Sequence, residues 1–154
     1  MIRRISEVLR IIIISPETLV ILLVVVASNY WTKLFEVTGQ HFISKDKLWE
    51  FIPTIPLGLL YYGWNLSSQL QSPIESANRE LYDWNLYWAL KYRIIAAMAW
   101  AGLSAMCSVI IWIFSSELTA FVLGLLFFAS VGVSIVVVVT ETLALFALKE
   151  IMTK

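Results

Sequence analysis

Between Arg93 and Glu117 the chain carries no charged residue, and between Glu117 and Glu141 it again carries none. An α-helix rises about 1.5 Å per residue, so about 20 apolar residues cross the roughly 30 Å hydrocarbon core of a bilayer. Ile94–Phe114 and Leu118–Thr140 both meet that length, and the apolar pattern of the second runs on through Leu143–Ala147. Only Ser115-Ser116-Glu117 joins them. Composition agrees with a membrane protein: 60% of the 154 residues are hydrophobic and 14% are charged, and mean hydropathy is +0.82. A soluble domain is about 25% charged, so this chain has too few charges to clothe a water-facing surface. Its one cysteine, Cys107, excludes a disulfide scaffold. Lys and Arg total 11 and Asp and Glu total 11, which leaves no basic surface for direct contact with nucleic acid. The expectation is an all-α integral membrane protein forming one domain over residues 1–154.

Two further spans complete a four-transmembrane-helix bundle. Ser15-Pro16-Glu17 reads as a helix start, with Ser15 as N-cap, Pro16 in the first helical position and Glu17 near the positive end of the dipole. The first span then covers about 16–31, a short stretch that local bilayer thinning accommodates. Upstream, Ile2, Ile5, Leu9 and Ile12 recur at helical spacing, so Met1–Ile14 reads as a short amphipathic helix in the interface. A cleavable signal is the rival reading there, with Arg3 and Arg4 as basic start and Val25-x-Ala27 as cleavage site. The second span covers about 51–66. It contains Pro53, Pro56, Gly58 and Gly63, so a re-entrant segment is its alternative. Spans three and four are about 94–114 and 118–147.

Basic flanks set the orientation. Arg3, Arg4 and Arg10 precede span one, Arg79, Lys91 and Arg93 lie between spans two and three, and Lys149 and Lys154 follow span four. Both termini are therefore expected in the cytoplasm of a multi-pass inner-membrane (plasma-membrane) protein. Lys33, Lys45 and Lys47, in the loop Thr32–Glu50, dissent.

Residues 65–93 form the largest expected cytoplasmic piece, a helical hairpin extending spans two and three. An Arg79–Asp83 ion pair at i,i+4 supports its second helix. Tyr82, Trp84, Tyr87 and Trp88 make that helix strongly aromatic, either as an interfacial belt or as a docking face for a soluble cytoplasmic protein. Small residues recur on the last two spans: Ala97, Ala101 and Ala105 every four residues, Ser104 and Ser108 beside them, then Ala120/Gly124 and Ser130/Ser134. Such spacing lets membrane helices approach closely. It serves either the packing of spans three and four or a homo-oligomer built through Ala97, Ala101, Ala105, Gly124, Ser130 and Ser134.

No phosphate-binding glycine loop, nucleophile elbow or metal-spaced His/Cys set occurs. No catalytic residue, cofactor or metal is expected, and the chain reads as non-enzymatic. The lone histidine, His41, reads as a solvated loop residue. Asn65-Leu66-Ser67 matches a glycosylation triplet but falls on the expected cytoplasmic side. Ionisable residues within spans are pointers to function. Glu17 reads as a capping charge, and Glu141 as either an interfacial carboxylate or a buried one lining the bundle interior or pairing with Arg93 or Lys91. By size and layout the chain is similar to the membrane components of bacterial toxin-immunity pairs and anti-phage (antiviral) defence systems. That likeness implies an oligomeric subunit that anchors or senses for a soluble partner. An ion-conducting pore or effector, or a small proton-coupled transporter, is the alternative.

Overall fold

The computed structural model describes residues 14–44, 51, 54–71 and 87–152. Five helices follow in order: α1 (Pro16–Tyr30), α2 (Thr32–Ile43), α3 (Thr54–Gln71), α4 (Tyr87–Phe114) and α5 (Ala120–Met152). No strand occurs among the described residues. The amphipathic stretch before Ile14, the Arg79–Asp83 pair, Tyr82 and Trp84 lie outside them.

Helix α1 starts as its sequence dictates. Ser15 is extended (φ −84°, ψ 148°), and its hydroxyl accepts a hydrogen bond from the Thr18 amide at 3.3 Å. The end of α1 departs from expectation. At Trp31 (φ −119°, ψ 40°) the chain turns by 102° into a second helix, where a loop had been expected over Thr32–Glu50. Helix α2 forms because Phe35, Gly39 and Phe42 share one face, which is buried, while Lys33, Glu36 and Gln40 face outward. Its rings dock on the start of α5, Phe35 against Phe128 (centroids 5.0 Å apart) and Phe42 against Phe127 (5.1 Å), both edge to face.

The α2–α5 crossing is closed by glycines. A methyl group at Gly39 would collide with the Ala120 backbone, and one at Gly124 with the Phe35 backbone. Each glycine admits the other helix's main chain, the close approach expected of small residues between membrane helices.

The helical fold accounts for part of the expected four-span bundle. Among the described residues two helices, α4 and α5, are long and apolar enough to cross a bilayer. The bent pair α1–α2 qualifies as a third only if counted as one broken span. Helix α3 was expected as a span over 51–66 but runs Thr54–Gln71. Its later turns carry Asn65, Ser67, Ser68, Gln69 and Gln71, which dilute its apolar character. Pro56 sits in its first turn, where no intrahelical N–H bond is lost. Helix α4 continues unbroken from Tyr87 through the apolar stretch.

Helix α5 is the spine on which the other four pack. Three apolar clusters run along it. Phe42, Ile111 and Leu123 close the end bearing α2. Ala97, Ala101, Val133 and Val137 fill the middle, with Val20, Ile21, Leu60 and Trp100 around them. Leu70, Ile94 and Leu148 close the opposite end, where Tyr87 and Leu90 pack. The starts of α1 and α4 therefore meet the ends of α3 and α5. Outside, Leu19, Leu22 and Leu23 on α1, Leu103 and Met106 on α4, and Ile135, Leu143 and Phe146 on α5 are exposed. This apolar exterior is compatible with contact with a lipid bilayer.

Candidate functional site: a charged cluster inside the bundle

The end of the bundle opposite α2 holds buried charged groups. Glu17, in the first turn of α1, is 0% exposed. Its Oε1 accepts a charge-assisted hydrogen bond from Nη2 of Arg93, two turns into α4, at 2.5 Å. Glu141 of α5 is 3% exposed, and its Oε1 accepts a hydrogen bond from the Ser67 hydroxyl of α3 at 2.7 Å. One residue from each of α1, α3, α4 and α5 thus converges on the interior.

The cluster is incompletely satisfied. Oε2 of Glu17, Nη1 of Arg93 and Oε2 of Glu141 are buried with no hydrogen-bond partner among the described residues. Glu141 lies within electrostatic reach of both Arg93 and Glu17, so two carboxylates accompany one guanidinium and the ionised cluster carries one excess negative charge. Burying an ion without full pairing costs several kcal/mol, so groups held this way are candidates for a functional site. The free oxygen of Glu141 looks towards α3 at Gly63, whose missing side chain leaves room: a Cβ there would lie 3.6 Å from Oε2.

Both ionisable residues read from the sequence belong to this cluster, in altered roles. Glu17 is a buried ion-pair partner as well as a first-turn acid. Glu141 is buried and its direct hydrogen-bond partner is Ser67, while Arg93 bonds Glu17 and Lys91 is exposed. Ser67 escaped notice inside the Asn65-Leu66-Ser67 triplet. The spacing of Gly63, Ser67 and Leu70, one turn apart and all buried, was the available signal.

The small residues are occupied within one chain. Ala97, Ala101, Ala105, Ser130 and Ser134 are buried, and Gly124 lies under Phe35. The Ser104 hydroxyl donates to the Ser130 carbonyl at 2.5 Å and lies 2.6 Å from the Ser134 hydroxyl. Of the aromatic set, Tyr87 and Trp88 are half-buried, and Trp88 packs edge to face on Tyr92 with centroids 6.1 Å apart. His41 is exposed on α2, and Cys107 is half-buried. Among the described residues no three His, Cys, Asp or Glu side chains come together as metal ligands.

The chain matches no protein-family model, no curated protein and no solved structure.

Proposed function

We propose that this is a small proton-coupled transporter of the inner membrane in which α1, α3, α4 and α5 each cross the bilayer. The observation that carries the reading is Glu141, a carboxylate buried at the meeting of the helices, with one oxygen held by Ser67 and the other unpartnered. A proton on that oxygen removes the excess charge, and its departure restores it, so the cluster alternates between two charge states without leaving the bundle. Helices α1 and α3, of 15 and 18 residues, reach about 22 Å and 27 Å, which calls for local thinning of the bilayer around them. The cluster end faces the cytoplasm, since Arg93 and Lys149 belong to it while the α4–α5 turn carries no basic residue. Both termini then lie on that side.

Infrared difference spectroscopy of the reconstituted protein across a pH step tests this. A protonated-carboxyl C=O band is expected in the unmutated protein and absent in Glu141→Gln, which keeps an oxygen for Ser67. A band that persists unchanged in Glu141→Gln removes the site from Glu141.

One observation supports a second reading, that of a non-enzymatic subunit recruiting a soluble partner in a defence or toxin-immunity system. Trp88 and Tyr92 form a paired aromatic surface at the cytoplasmic start of α4, with Tyr92 47% exposed. On this reading Trp88→Ala loses a stoichiometric co-purifying protein while still inserting into the membrane. Equal recovery of that protein with the variant counts against it.

A further inference from the structure

We propose that the groove between α3 and α4, together with Glu141, binds a lipophilic organic cation; this deepens the transporter reading and rests on it. The groove has a volume of about 410 Å³ and is lined by Leu57, Leu60, Tyr61, Trp64 and Met98. That volume lies within the range of about 300–1,000 Å³ typical of small-molecule sites. Leu57, Leu60, Tyr61 and Trp64 recur at one-turn spacing, so they form one stripe of α3, and Met98 closes it from α4. Tyr61 and Trp64 are exposed at its mouth, on the lipid side. The lining offers two aromatic rings, a thioether and two leucines, and no charge. An apolar body is held there by burial, and a positive charge by the negative faces of the rings.

The balancing charge lies behind Gly63, the residue next to Trp64. A Cβ on Gly63 would stand 3.6 Å from Glu141 Oε2 and 3.9 Å from the Met98 sulfur. Met98 therefore lines the groove and, with Val137 Cγ1 also 3.9 Å from that Cβ position, stands on the other side of Gly63 from the carboxylate. Methionine is unbranched and turns easily, so its side chain can yield to a ligand that enters the gap. The charge count selects the ligand's sign. Arg93 is already bonded to Glu17, and the remaining negative charge is that of Glu141. A monovalent cation neutralises it, a neutral molecule leaves it uncompensated, and an anion is repelled. Cation and proton cannot share the same oxygen, so docking of the cation releases the Glu141 proton to water. That exchange is the coupling a proton-driven carrier requires.

The test uses the full-length protein in detergent micelles and tetraphenylphosphonium as probe, with binding read by equilibrium dialysis and proton release in weakly buffered solution. Triphenylphosphine oxide, an uncharged analogue, controls for partition into micelles. Saturable binding of the cation with release of a proton is expected, weakened about tenfold by Trp64→Ala and lost in Glu141→Gln. Gly63→Val, which fills the space beside Glu141 Oε2 and changes no residue of the lining, should also abolish binding. Equal binding of the uncharged analogue, or unchanged binding in Glu141→Gln and Gly63→Val, overturns the proposal. If the Glu141 carboxyl band is present but the cation does not bind, the proton site stands and this inference falls. If the cation binds through Glu141 with no proton released, the site stands and the coupling falls.

Discussion

Arg93→Ala should destabilise the protein by about 3–5 kcal/mol, the usual cost of removing one partner from a buried ion pair. Glu17 has no exposure to fall back on, and its second oxygen already lacks a partner. Without the guanidinium its charge stands uncompensated in the bundle. The expected readout is a large fall in the denaturant midpoint of the reconstituted or micellar protein. Adding Glu17→Gln to Arg93→Ala should recover most of the loss, because the double variant no longer buries a lone charge. Glu17→Gln alone should cost less than Arg93→Ala. The Arg93 side chain is 26% exposed, so once Glu17 no longer holds it, its long stem can carry the charged head towards water. A loss below about 1 kcal/mol for Arg93→Ala would mean that Glu17 does not depend on this partner, and the described cluster would be wrong.

The glycine crossing at the other end gives the second large effect. Gly→Ala in a helix interior ordinarily stabilises by about 1 kcal/mol. At Gly39 and Gly124 the sign should reverse, with a net loss of about 2 kcal/mol or more, because the added methyl meets the partner helix's backbone and no rotamer change relieves it. Gly58 and Gly102 are internal controls: nothing lies within 4 Å of a methyl group there. Alanine at either should be neutral or mildly stabilising. Thermal melts of the four variants decide the matter, and the same sign at all four positions would exclude the close α2–α5 approach. Since the crossing lies at the far end of α5 from Glu141, Gly39→Ala should leave the carboxyl band of Glu141 in place wherever the fold survives.

How much of this was legible beforehand depends on whether a feature is written locally. The apolar stretches of α4 and α5 are local, since an uninterrupted run needs no knowledge of neighbours to be recognised as helix of spanning length. So is the start of α1, where Ser15 and Pro16 impose their own backbone geometry. Helix α2 was half legible: Phe35, Gly39 and Phe42 mark a buried face, but Lys33 and Glu36 among them read as loop until α5 supplies the surface to bury against. The small-residue stripes were visible as contact faces, yet identical spacing serves a seam within one chain or a contact between two.

The charged cluster belongs wholly to the tertiary structure. Arg93 and Glu17 are 76 residues apart, and Ser67 and Glu141 are 74 apart. A carboxylate near a helix start is compatible with an interfacial cap or a buried pair, and the energies of the two differ through what surrounds it rather than through its own neighbours in the chain. By itself the sequence determined that the chain carries two strongly apolar helices and where α1 begins, because length, hydropathy and capping act within one segment. Only the tertiary structure decided which way Glu17 and Glu141 face and what meets them, because burial and pairing are properties of four helices together.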